Sequence, residues 1–125
     1  MDMENVYDTI VVDTSVLLGI YETKCDPFEE LNVKQIYIPG AVIKELDKLA
    51  EKSRKYEIAK KLIFKLLSLY NIILGKDESS FADEVILKLV DKYKVFFTND
   101  KELKKSLIKK GVIVYSFNKQ GIVRN

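Results

Sequence analysis

Four acidic side chains stand at positions from which their carboxylates could act together. The four are Asp13, Glu45, Asp83 and Asp100. Asp13 directly follows an apolar run at residues 10–12, and Asp100 closely follows another at residues 95–97. The carboxyl ends of strands form the usual ligand edge of an open α/β sheet, and the other two acids lie on helical segments that could lean over that edge. Because the chain has no histidine, these carboxylates indicate one chemistry above others: holding hard divalent metal ions against a phosphodiester.

Each of these acids also has a purely structural interpretation. Asp13 could make a turn or cap the helix that follows it. Glu45 borders the apolar stripe of its helix and could be a salt-bridged side chain at the edge of the core. Asp83 stands three residues after Ser80, at the spacing of a capping box, and Asp100 could occupy the first turn of a helix. The functional interpretation therefore depends on the fold bringing the four acids together.

Apolar runs alternate with helical patterns along the chain. The sequence predicts strands at residues 9–12, 35–38, 71–74, 94–98 and 112–115. It predicts helices at residues 39–50, 54–70, 80–93 and 100–110, with Ser80 and Asn99 capping the last two and Gly111 ending the final one. The strands are apolar throughout, as in parallel sheets that are covered on both faces. The predicted fold is α/β, with three α/β/α layers around a central parallel sheet of order 3-2-1-4-5, in a single domain over residues 1–125.

This strand order places the first and fourth strands side by side at the topological switch point of the sheet. Asp13 and Asp100 would then face each other across the crevice. Because adjacent strands lie about 5 Å apart, the two carboxylates could share a cation, and without one they would repel each other. Thr14 and Ser15 follow Asp13 directly and could hold its carboxylate or a metal-bound water.

The composition fits one globular domain with a polyanionic partner. The net charge of the 125 residues is only +2, but the lysines concentrate in the middle and at the end of the chain. Basic helices around an acidic pocket would suit RNA, although lysine-rich helix faces also serve solubility alone. The lone Cys25 cannot form an intrachain disulfide, which favours a reducing, cytoplasmic setting. No apolar run approaches the length of a membrane span, so no membrane association is expected.

Four segments together resemble the PIN domain, a family of metal-dependent ribonucleases. They are residues 11–17, 38–46, 82–87 and 97–103. Each segment is short, and their order and spacing carry the resemblance over nearly the whole chain. By this resemblance the family's acidic quartet corresponds to Asp13, Glu45, Asp83 and Asp100. The supporting polar residues correspond to Ser15 after the first acid and to Thr98 or Asn99 before the last.

The resemblance implies hydrolysis of RNA phosphodiester bonds by an endoribonuclease. One or two Mg²⁺ or Mn²⁺ ions would bind Asp13 and Asp100, with Glu45 and Asp83 completing the site. Two branches of the family are similar to this chain. Segments 79–83 and 112–118 favour the branch that processes precursor rRNA, and the second branch contains VapC-type toxins, whose partner is an antitoxin. An assembly factor is the corresponding partner in the first branch.

Other interpretations stay open at this point. A catalytically silent PIN domain could serve as a scaffold that binds RNA or protein. The predicted helix at residues 54–70 carries a near-heptad series made up of Ile58, Leu62, Lys65, Leu66 and Leu69. This helix could pair two copies in a homodimer. A receiver-like signalling domain would need a phosphate-accepting Asp at the end of the third strand, where this chain has Leu74. A dinucleotide-binding fold would need a glycine-rich turn after the first strand, and none is present.

Overall fold

A computed structural model describes residues 8–31, 33–76 and 81–125. The strands are β1 (Thr9–Val12), β2 (Gln35–Ile38), β3 (Ile72–Leu74), β4 (Val95–Phe97), β5 (Ile113–Asn118) and β6 (Gly121–Arg124). The helices are α1 (Thr14–Thr23), α2 (Gly40–Lys52), α3 (Arg54–Leu67), α4 (Ala82–Lys88) and α5 (Lys101–Lys109). Short 3₁₀ turns cover Pro27–Glu29 and Leu89–Asp91. Strands and helices therefore alternate along most of the chain, as the sequence predicts.

The six strands form one sheet in the order β3-β2-β1-β4-β5-β6. The first five strands of the chain pair in parallel, so the predicted order 3-2-1-4-5 is confirmed. The sixth strand, which the sequence analysis did not predict, pairs with β5 in antiparallel orientation. It begins at Gly121, whose φ of 126° is a backbone conformation that favours glycine. The sixth strand lies beyond β5, so the predicted contact between β1 and β4 is preserved.

The centre of the sheet is the most deeply buried part of the molecule. All four residues of β1 and all three of β4 are buried. The ring of Phe97, at the end of β4, makes edge contacts with Phe28 at 5.9 Å and with Phe117 at 5.6 Å between centroids. Burying each such side chain contributes roughly 1.5–3 kcal/mol to stability. The carboxyl ends of β1 and β4 are therefore firmly supported, and these ends carry the acidic residues of interest.

The predicted helices differ from the observed ones at their ends: α2 covers Gly40–Lys52 instead of residues 39–50, and α3 ends at Leu67 instead of residue 70. Helix α5 is capped by the side chain of Asp100, which accepts a hydrogen bond from Leu103 N, so the prediction of Asn99 as the cap is wrong. The predicted helix at residues 80–93 is a short helix, α4, followed by a 3₁₀ turn. Its predicted cap, Ser80, lies outside the described residues. Gly111 follows α5 with a φ of 82°, as expected for the residue that ends a helix.

Helix α3 buries one face and leaves most of its near-heptad series exposed. Its buried residues are Ala59, Ile63 and Leu67. In the series, Ile58, Leu62 and Lys65 are exposed, Leu66 is half-buried, and the exposed Leu69 lies beyond the end of the helix. Within the residues that the structure covers, none of the helices has the length and apolar character needed to cross a membrane.

Candidate active site

The four predicted acids line one open cavity of about 530 Å³ at the carboxyl edge of β1 and β4. Asp13 is buried, with only 8% of its surface exposed. Glu45 on α2 is half-buried, whereas Asp83 and Asp100 are exposed at the starts of α4 and α5. Two strand ends and two helices thus bring together residues that are far apart in the sequence. The expected convergence of the four acids on one edge of the sheet is present.

Two hydroxyl groups hold the carboxylate of Asp13. Its Oδ2 accepts hydrogen bonds from Ser15 Oγ at 2.9 Å and from Thr98 Oγ1 at 2.8 Å. Asp13 occupies the position before α1, but its side chain makes no capping hydrogen bond to the helix. The purely structural interpretation of this residue as a helix cap is therefore wrong. The described hydrogen bonds to the carboxylate all end on Oδ2, which leaves Oδ1 available to a ligand.

The backbone of the turn between β4 and α5 orients these two hydroxyl groups. Ser15 Oγ accepts a hydrogen bond from Asn99 N at 2.9 Å, and Thr98 Oγ1 accepts one from Asp100 N at 3.1 Å. A hydroxyl that accepts from an amide can still donate its single proton elsewhere. In both cases the geometry directs that proton to Asp13. The two amides, the two hydroxyls and the carboxylate form a continuous network that joins β1 to β4.

Thr14 holds a different acid from the one expected. Its Oγ1 donates a hydrogen bond of 2.7 Å to Glu45 Oε2, so Thr14 links α1 to α2, and Ser15 alone of the two residues bonds to Asp13. Glu45 is therefore held by a neutral hydroxyl. Asp47, two residues further along α2, is the acid with the salt bridge, at 2.5 Å from Lys60 Nζ. Of these two acids of α2, Asp47 pairs with Lys60 on α3, and Glu45 lines the cavity.

The remaining two acids each use one oxygen on the local backbone. Asp100 Oδ1 accepts from Leu103 N at 3.0 Å and so caps α5. Asp83 Oδ1 accepts from Glu84 N at 3.0 Å in the first turn of α4. Asn99, predicted to be the cap, instead accepts a hydrogen bond from Phe117 N at 2.9 Å through its side-chain oxygen. Asn99 thereby fastens the turn after β4 to β5.

Comparison with known proteins identifies the family. The family model described as "PIN like domain" matches residues 10–120. The chain belongs to the PIN domain family. A curated relative, Ribonuclease VapC9 of Archaeoglobus fulgidus, is 32% identical over 109 residues, which cover 83% of this chain and 78% of VapC9.

Solved structures share the fold of this PIN domain. The PIN domain endonuclease Utp24 superposes with a TM-score of 0.73 at 23% identity, covering 97% of this chain and 93% of that one. A domain of a functionally unknown protein from Methanocaldococcus jannaschii superposes with a TM-score of 0.67 at 20% identity, covering 89% of this chain and 91% of the other. At these identities the two structures bear on the fold alone.

The cavity of the PIN domain also contains residues that the sequence analysis did not single out. They are Leu18, Leu49, Phe81, Ala82, Glu84 and Leu103. Phe81 is the largest of them and is 76% exposed. In the sequence, Phe81 stands directly before the segment that contains Asp83. An apolar side chain beside exposed acidic residues is not expected in the core, and this is the sequence signal that could have identified Phe81.

The oxygen donors of this PIN domain suit a hard divalent cation, but they do not form a closed metal cage. Among residues 8–31, 33–76 and 81–125, no group of three or more acidic, cysteine or histidine side chains is arranged to hold a metal ion. Four carboxylates nevertheless line the cavity. Mg²⁺ typically keeps several waters and binds through one or two carboxylates together with substrate phosphates. The donor set fits that open mode of binding.

Proposed function

We propose that this PIN domain is a divalent-metal-dependent endoribonuclease that hydrolyses RNA phosphodiester bonds. The observation that carries the proposal is the meeting of Asp13, Glu45, Asp83 and Asp100 around one cavity at the carboxyl edge of the sheet. The relative VapC9 supports the reaction class, since it is a ribonuclease. Four carboxylates without a histidine require an electropositive partner before an RNA phosphate can approach them.

The proposed cofactor is Mg²⁺ or Mn²⁺, held by Asp13 and Asp100 with Glu45 and Asp83 completing the site. When bound, the ion supplies Lewis-acid stabilisation of the phosphate charge and an acidified water nucleophile. Asp13 is suited to this role because Ser15 and Thr98 fix one of its oxygens. Asp100 is likewise fixed through one oxygen by the backbone of α5.

The other residues of the site would orient the substrate and handle protons. Because the chain has no histidine, the proton leaving the attacking water passes to a carboxylate of the cavity. Glu45 is held in place for this by the hydroxyl of Thr14. The lysines of α2, α3 and α5 would bind flanking phosphates and draw the polyanion towards the acidic site.

A matched pair of variants on α2 tests the site assignment. Glu45→Gln should reduce cleavage of a labelled RNA about 100-fold or more, since it removes a positioned carboxylate. Asp47→Asn, two residues along the same helix and paired with Lys60, should leave cleavage close to wild type. Both proteins should melt within a few degrees of wild type by circular dichroism. Equal cleavage by the two variants would contradict the assignment of Glu45.

The target of the nuclease has two candidates within the family. The segments at 79–83 and 112–118 favour processing of precursor rRNA, with an assembly factor as partner. The sequence identity to VapC9 favours a VapC-type toxin, with an antitoxin as partner. A cytoplasmic site of action suits both candidate functions. Growth arrest on expression, relieved by Asp13→Asn, supports the toxin. Cleavage of precursor rRNA at a single position, without growth arrest, supports rRNA processing.

We further propose that the exposed apolar side of α3 contacts a protein partner. Ile58 and Leu62 on α3 are 49% and 41% exposed, and Leu69, two residues beyond the end of the helix, is 75% exposed. A second copy of the chain would bury them in a homodimer, and light scattering of the purified protein measures this directly. A protein that is monomeric until its antitoxin or assembly factor is added would assign the surface to that partner instead.

A further inference from the structure

Phe81 is an exposed aromatic ring at the mouth of the acidic cavity. It is 76% exposed, and it lines the same cavity as Asp13, Asp83 and Asp100. The other large apolar side chains that are exposed in the described part of the chain are Ile58, Leu62, Leu69, Leu74, Ile108 and Val123. None of these six is aromatic, and none lines the acidic cavity. Among these exposed apolar side chains of the described residues, Phe81 therefore differs from the others in both its chemistry and its place.

The backbone of Phe81 is tied to the helix turn that contains Asp83. Phe81 directly precedes α4 in an extended conformation, with φ −66° and ψ 152°. Its carbonyl oxygen accepts a hydrogen bond from Val85 N at 3.1 Å, which ties it to the first turn of the helix. Val85 is buried in the core. The ring and Asp83 are thus carried by the same anchored helix turn.

We propose that Phe81 is a stacking platform for an unpaired base next to the phosphate that is cleaved. The inference rests on the proposed ribonuclease function and adds to it a residue that positions the RNA. Every base has a π face, and aromatic side chains stack on unpaired bases with little preference for sequence. A base within a duplex is already stacked on both sides and cannot reach the ring.

The apolar lining of the cavity favours RNA binding that depends on whether the RNA is single-stranded more than on its sequence. Leu18 and Leu49 line the cavity together with Phe81. Apolar side chains can pack against the edge of a base, but they offer no hydrogen bonds that would tell one base from another. The four acids of the same lining would face the phosphate through a metal ion. The cavity therefore offers apolar side chains to a base and carboxylates to the metal-bound backbone.

Binding of a fluorescent RNA tests this inference without relying on cleavage. The probe is a single-stranded oligonucleotide with 2-aminopurine at successive positions, and Asp13→Asn is the background that prevents its hydrolysis. Phe81→Ala should weaken binding about tenfold and remove the quenching of 2-aminopurine that stacking causes. Phe81→Tyr should restore both. Leu74→Ala is the matched control, since Leu74 is 63% exposed at the end of β3 and does not line the acidic cavity.

The outcomes separate this inference from the proposed function. Unchanged affinity and quenching in Phe81→Ala, or an equal loss in Leu74→Ala, would overturn the stacking platform even if the wild type cleaves RNA. Loss of quenching in Phe81→Ala alone supports the platform, and it does so even if the wild type fails to cleave RNA under any condition. A duplex of the same sequence should bind equally to both proteins, and dependence of duplex binding on Phe81 would also contradict the inference.

Discussion

The carboxylate of Asp13 is held by neutral hydroxyl groups in a nearly buried position. Ser15 and Thr98 donate to the same oxygen, and each hydroxyl is itself held by a backbone amide of the turn after β4. A buried charge requires hydrogen-bond partners, and without them its burial is costly. Hydroxyl groups meet this requirement while leaving the negative charge uncompensated. The site is therefore stable and still attractive to a cation.

Removing one of the hydroxyls should weaken both the fold and the site. Thr98→Val deletes a donor to Asp13 and the acceptor of Asp100 N, so it should lower the free energy of unfolding by about 1–3 kcal/mol. Thr98→Ser keeps the hydroxyl and loses one methyl group, which costs about 0.8 kcal/mol. Urea denaturation measures both changes, and RNA cleavage should follow the same order. A valine variant as stable and active as the serine variant would show that this hydroxyl does not hold the carboxylate.

At the scale of elements, the loop before β2 is fastened to the end of α3 by an interaction that depends on pH. The hydroxyl of Tyr70, just after α3, donates to Asp26 Oδ2, while Asp26 Oδ1 caps the 3₁₀ turn at Pro27–Glu29 through Phe28 N at 3.0 Å. Partial burial and then the hydrogen bond and charge of Asp26 raise the pKa of Tyr70 from 10.0 to about 12. The folded state thus favours the protonated phenol.

This shift in pKa gives stability a defined dependence on pH. Because the pKa of Tyr70 is raised in the folded state, its contribution is complete below pH 10.0 and is lost as the pH rises towards about 12. The stability difference between wild type and Tyr70→Phe should therefore shrink across that range and stay constant from pH 7 to 9. Thermal melts at each pH measure it, and comparing two variants of one protein cancels the titration of the lysines. A difference that stays constant up to pH 12 would contradict the raised pKa.

The sequence predicted strands and helices best where a single hydrophobic pattern dominates a segment. The continuous apolar runs correctly gave all five parallel strands and their order. They did not give β6, because Gly121–Arg124 is a short edge strand that only its pairing with β5 stabilises. In α3 the near-heptad series does not mark the core face, since the buried residues are Ala59, Ile63 and Leu67 and the series is mostly exposed. A small residue at a close helix contact leaves little hydrophobic signal in the sequence.

At the scale of the whole molecule, the site depends on contacts between distant parts of the chain. Thr98 and Asp13 are 85 residues apart in the sequence, and Thr14 and Glu45 are 31 apart. The convergence of the four acids could be predicted because Asp13 and Asp100 follow strands, Asp83 begins a helical segment and Glu45 borders an apolar stripe. The pairing of each hydroxyl with its acid could not, because Thr14 and Ser15 are equivalent neighbours of Asp13 until helix α2 is packed beside α1. The partnership of Asn99 with Phe117 depends in the same way on the position of β5.

The central claim is that this cavity hydrolyses RNA through a metal ion held by Asp13. The most direct measurement compares cleavage of a labelled single-stranded RNA by wild type and by Asp13→Asn, each with Mn²⁺ and with EDTA. We expect cleavage by the wild type in Mn²⁺ alone, and we expect Asp13→Asn to melt at the same temperature or slightly higher, because it relieves repulsion among the carboxylates. Cleavage that survives EDTA, or that Asp13→Asn retains, would contradict the claim.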